Sequence, residues 1–83
     1  MLDQSRFQEI VKDLLSMDDD PAIPRNVRIK IKKAINILQD EQGKLDIKVD
    51  KSLQELGDIA EDPNLPQYTR MQIWTLVSQL ESK

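Results

Sequence analysis

The chain contains no histidine and no cysteine in 83 residues. The common zinc sites, a disulfide framework, a thiol nucleophile and a Ser-His-Asp triad each need one or the other, so none is expected. Glycine is nearly as scarce: Gly43 and Gly57 stand too far apart to build a phosphate-cradling loop. No run of consecutive apolar residues exceeds two, too short for a transmembrane helix or a signal-peptide core. The chain is therefore expected in the cytoplasm, without a membrane. Nothing places a nucleophile beside a base, so no catalytic, metal-ligating or cofactor-binding residue is assigned, and no enzyme is expected.

What is present is charge and amphipathic periodicity. Charged residues make up 33% and hydrophobic ones 39%, the balance of a globular chain rather than a disordered one. The net charge of −3 hides an alternation. Residues 1–20 sum to −4, 21–39 to +5, 40–63 to −5 and 64–83 to +1. Four stretches have the spacing of amphipathic helices. Their stripes are Phe7, Ile10, Val11 and Leu14 with Met17 at the edge; Val27, Ile31, Ala34, Ile35 and Leu38; Leu45, Val49, Leu53, Leu56 and Ala60; and Ile73, Leu76, Val77 and Leu80, extended back by Thr69.

Proline divides the stripes. Asp20-Pro21-Ala22-Ile23-Pro24 must interrupt a helix, since proline lacks a donor and disfavours helical geometry in the residue before it. Pro24 suits the first turn of the second helix. Asp62-Pro63-Asn64-Leu65-Pro66 repeats the arrangement 42 residues later. At the same offset Leu14 matches Leu56, Arg28 matches Arg70, Ile31 matches Ile73, Ile35 matches Val77, and Leu38 matches Leu80. The reading is one domain over residues 1–83, with repeated halves at 5–39 and 46–81 and a linker at 40–45. Gly43 is expected to take a left-handed, helix-ending conformation there. The expected fold is all-α: a four-helix bundle of two helical hairpins, with a two-repeat HEAT-like stack as the alternative.

Asp62-Pro63-Asn64-Leu65-Pro66, then Thr69-Arg70, Ile73-Trp74, Ser78 and Leu80-Glu81, resembles the C-terminal signature of a family of short archaeal proteins catalogued as uncharacterised. Pro21, Pro24 and Arg28 fit that family's N-terminal half. The resemblance implies a single four-helix domain and an archaeal, cytoplasmic source. It brings no activity, cofactor or site residue.

Four features are candidate sites. Arg25, Arg28, Lys30, Lys32 and Lys33 lie within nine residues that contain no acid. They would meet the phosphates of nucleic acid, or pair with acidic neighbours such as Asp13, Asp50, Glu55 and Asp58. Tyr68, Met71 and Trp74 project away from the apolar stripe of the fourth helix, and Ile29 lies off the stripe of the second. They would form an apolar facet for self-association or another protein, or a stripe edge absorbed into the core. Arg28 and Arg70 would clamp an anion, or bond the loop carbonyls or aspartates of the adjoining turns. Asp18-Asp19-Asp20 lacks the spacing of a calcium loop and reads as solvated. The function that follows is a non-catalytic protein-interaction module acting through the facet around Trp74. The alternative is a nucleic-acid- or ribosome-associated protein using the basic helix.

Overall fold

The four apolar stripes form four α-helices in a computed structural model, which describes residues 4–81: α1 Gln4–Asp18, α2 Arg25–Gln39, α3 Leu45–Ala60 and α4 Gln67–Glu81. Each proline loop ends one helix and starts the next with a compact set of bonds. In the first, Asp20 N–H donates to the Met17 carbonyl at 3.1 Å and Ile23 N–H to the Asp20 carbonyl at 3.2 Å. The Asp20 carboxylate accepts the Ala22 N–H at 2.9 Å, an Asx turn. Pro24 is the N-cap of α2 rather than a member of its first turn, and its carbonyl accepts the Arg28 N–H at 3.0 Å. In the second loop Asp62 N–H donates to Ile59, Leu65 N–H to Asp62, and Arg70 N–H to Pro66, while the Asp62 carboxylate accepts the Asn64 N–H at 2.9 Å. Ile23 and Leu65 turn inward and are buried.

The helices pack in chain order. Helix α2 lies against both α1 and α3, α3 lies against α4, and α1 touches α4 only lightly. Among the described residues α1 does not approach α3 closely, nor α2 approach α4. The radius of gyration, 11.9 Å, matches the ~12 Å expected of a compact chain of this length. Ile10, Leu14, Val27, Ile31, Leu56, Ile59 and Ile73 are fully enclosed at the centre. No helix is long and apolar enough to cross a membrane, among the described residues.

Two sequence expectations are corrected. The stripe of α3 is rotated from the one its leucines suggest. Ser52 and Ile59 are fully buried, Val49 and Leu53 only partly, and Leu45 is half exposed. Side chains lean toward a helix's N-terminus, so Leu45, the first residue of α3, points off its end rather than onto a neighbour. Ser52 tolerates burial because its hydroxyl donates to the Val49 carbonyl at 3.0 Å. Gly43 is not left-handed, for no described residue has a positive φ. Helix α2 ends instead at Asp40, in extended geometry (φ −67°, ψ 110°), whose carboxylate accepts the Gln42 N–H at 3.0 Å. A Cβ at Gly43 would meet the Lys48 side chain at 3.0 Å, so smallness rather than backbone freedom suits glycine there.

Gly57 is different. It lies inside α3, and a Cβ there would meet nothing within 4 Å. Gly57→Ala is therefore expected to stabilise the domain by about 0.5–1 kcal/mol, by removing backbone entropy from the unfolded chain. Thermal denaturation would show a Tm a few degrees higher. A lower Tm would mean that the space beside Gly57 is occupied.

Candidate interaction surface

Helix α4 carries only two charged residues, Arg70 and Glu81. Arg70 is half-buried against the second proline loop. Its Nε donates to the Ala60 carbonyl at 3.0 Å and its Nη2 to the Asp62 carbonyl at 2.8 Å. The exposed residues from Gln67 to Ser78 are Gln67, Tyr68, Met71, Trp74, Thr75 and Ser78, none of them charged. At 100° per residue Met71 points opposite the buried stripe of Ile73, Leu76, Val77 and Leu80, with Tyr68 and Trp74 flanking it on either side. Their exposures are 63% for Met71, 71% for Tyr68 and 51% for Trp74. The Thr75 hydroxyl donates to the Met71 carbonyl at 3.0 Å, and the Gln72 amide to the Tyr68 hydroxyl at 3.3 Å.

On the Tyr68 side this face runs into a cleft of about 370 Å³ between α1 and α4, the seam where the helices scarcely touch. Asp13, Ser16 and Met17 line it from α1, and Tyr68, Gln72 and Thr75 from α4. Asp13, expected beside the basic helix, is thus on the opposite flank of α1. The cleft had no signal in the sequence, because two amphipathic helices do not reveal how tightly they close.

Ile29 is also exposed, at 59%, but does not join Tyr68, Met71 and Trp74. It belongs to α2, which does not approach α4, and it lines a separate cleft with Asp18, Arg25, Arg28 and Lys32. The basic residues are likewise divided around α2. Lys33 forms an ion pair with Glu55 of α3 at 3.1 Å, the internal pairing that the charge alternation suggests. Lys30 is half-buried and Arg25 and Lys32 are exposed. Arg28 is half-buried, and its Nε and one Asp18 carboxylate oxygen are enclosed without hydrogen-bond partners.

The matching arginines therefore differ. Arg70 bonds the carbonyls of its turn, as its place after the proline suggests, while no such bond is formed by the Arg28 Nε. The carboxylates of the turn aspartates are used otherwise. Asp20 and Asp62 bond backbone N–H groups, and Asp62 also accepts the Asn26 amide at 3.1 Å, linking the two proline-loop regions. Of the aspartate run, only Asp19 is exposed, and Asp18 and Asp20 are half-buried. Among the described residues no acidic cluster could hold a metal ion.

The comparisons with known proteins agree with this fold. The model of an uncharacterised protein family, UPF0147, matches residues 1–82. A UPF0147 protein of Methanosarcina mazei is 39% identical over 76 residues, covering 92% of this chain and 82% of the relative. One from Methanocaldococcus jannaschii is 36% identical over 78 residues, covering 89% and 84%. The crystal structure of an unknown-function protein, MMP1188, superposes with a TM-score of 0.91 at 37% identity, covering 100% of this chain and 96% of that one. The resemblance to a short archaeal family, read from the proline-loop signature, is borne out.

Proposed function

Because the chain belongs to the UPF0147 family, which supplies a fold but no activity, we propose its function from its own surface: a non-catalytic module that docks a protein partner on the outer face of α4. The observation that carries this reading is the exposure of Trp74. A domain this small has little apolar surface to spare for its core. Leaving its only tryptophan half outside, beside an exposed methionine and tyrosine, is the pattern of an interface anchor. The nucleic-acid alternative has less support, since Lys33 is paired internally and the remaining cations are spread around α2.

The same reading extends to the architecture, taken as two copies of one helical hairpin closed into a bundle. Its support is the recurrence of the proline-loop bonds at 42 residues, Ala22 to Asp20 and Asn64 to Asp62 among them. Among the described residues the α1–α3 and α2–α4 packing that stacks one hairpin on the next in a HEAT-like array is missing, which favours a bundle whose closing seam, α1 against α4, is its lightest contact.

Trp74→Ala tests the function. The fold should survive with a stability loss within about 1 kcal/mol, since the ring contributes little to the core. Wild-type Trp74 fluorescence should be water-like and readily quenched by iodide at high dilution. A blue, unquenched emission in the dilute protein, or a loss of several kcal/mol on substitution, would overturn the reading.

A further inference from the structure

Deepening that reading, we propose that the occupant of the α4 face is a second copy of this chain, packed α4 against α4 in antiparallel fashion about a twofold axis. A twofold interface sets residue i of one copy against residue j of the other, and j against i, so a face whose charges share one sign repels itself. Apposed copies of α2, which has no acidic residue, would set the exposed Arg25 and Lys32 against like charges. The exposed arc of α4 from Gln67 to Ser78 has no charge to repel.

Size is also self-complementary. Tyr68, Met71, Thr75 and Ser78 follow the 3-4-3 spacing of a helix–helix seam, with two large side chains at one end and two small ones at the other. An antiparallel pairing centred near residue 73 sets Tyr68 opposite the partner's Ser78, and Met71 opposite the partner's Thr75. Trp74, on the flank away from Gln72, then lies beside the partner's Trp74 close to the axis, where the two rings can pack offset. Along the seam each large side chain meets a smaller one, as close packing of two helices requires. Parallel pairing would crowd the two tyrosines and leave the serines facing a gap.

The area is adequate. At the exposures given above, Tyr68, Met71 and Trp74 present on the order of 400 Å² per copy, since such side chains bury about 150–250 Å² each. Two copies thus supply about 800 Å² before Gln67, Thr75 and Ser78 are added. A specific interface needs roughly 1,000 Å² in total. A weak, reversible dimer fits that size.

Sedimentation equilibrium from micromolar to near-millimolar concentration, with Trp74 fluorescence recorded alongside, tests this. The mass is expected to rise from 9.6 kDa to twice that value, with Trp74 emission shifting blue over the same range. Met71→Lys should weaken the dimer at least ~100-fold by placing an unpaired charge at the seam. Its circular dichroism should stay native, because Met71 touches solvent rather than core. Ile29→Lys, on the opposite helix, should leave the dimer intact. A dimer that survives Met71→Lys would overturn the proposal by showing that another face is used. A wild type that stays monomeric throughout, with quenchable Trp74, would overturn the dimer while leaving the docking face open to a different protein. Shielded Trp74 in a monomer would overturn both.

Discussion

Replacing Leu56 with aspartate is expected to unfold the chain outright. Leu56 is fully enclosed in the middle of α3, the helix that packs on both α2 and α4. Removing its side chain alone would cost about 2–5 kcal/mol in lost contacts and residual cavity. A carboxylate in its place adds several kcal/mol more, because a charge enclosed among apolar side chains loses its hydration. The whole domain is expected to have only about 4–12 kcal/mol of stability, at 0.05–0.15 kcal/mol per residue. The loss therefore matches or exceeds what there is to lose. Ile31→Asp, at a fully enclosed position of α2, should do the same. Circular dichroism at 222 nm would report the collapse of helix content. Leu45→Asp is the discriminating control, since Leu45 shares a nominal stripe with Leu56 but is half exposed at the helix end. It should remain folded; if it unfolds and Leu56→Asp does not, the register of α3 is wrong.

Arg70→Ala is expected to cost about 2–4 kcal/mol, and Arg28→Ala well under half of that. Arg70 makes two charge-assisted bonds where α3 gives way to the turn, one to the carbonyl of Ala60 and one to that of Asp62, which also accepts the Leu65 N–H. Each such bond is worth about 1.5–3 kcal/mol, reduced here because Arg70 is only half-buried. For a domain of this size the change lowers Tm by about 10–25 °C. Arg70→Lys should recover little, since an ammonium cannot span two carbonyls as the guanidinium fork does. The Nε of Arg28 is enclosed without a partner, so truncation removes a buried donor along with the side chain. Equal losses at the two positions in thermal melts would show that Arg28 makes the equivalent contacts in solution.

These arginines show how far local pattern reaches. The proline loops were legible because proline acts through its own chemistry: it lacks a donor, and the aspartate before it closes an Asx turn at both sites. The stripes of α2 and α4 were legible because five apolar residues in α2, and four with Thr69 in α4, recur at helical spacing along one face. The stripe of α3 was misread in part: Leu56 and Ala60 are buried as their spacing suggests, but Leu45, Val49 and Leu53 look as apolar as Leu56 while Ser52 does not look apolar. A serine becomes a core residue only when its hydroxyl is satisfied within its own helix, as Ser52 does with Val49. The pairing of Lys33 with Glu55 was within reach from charge alternation, whereas the bond from Asn26 to Asp62 was not.

Absence of histidine and cysteine limits the site chemistry this chain can carry, and that exclusion is a property of composition alone. The sequence by itself also determined the four helices and the two loops, because helical periodicity and proline geometry act within a few residues. Only the tertiary structure decided the fate of Tyr68, Met71 and Trp74. A helix's own sequence defines the face it most needs to bury. Whether its other face is covered depends on a neighbour arriving there, and α1 closes against α4 too lightly to do so. That open flank, set by packing between the first and last helices of the chain, turns an ambiguous stripe edge into a surface.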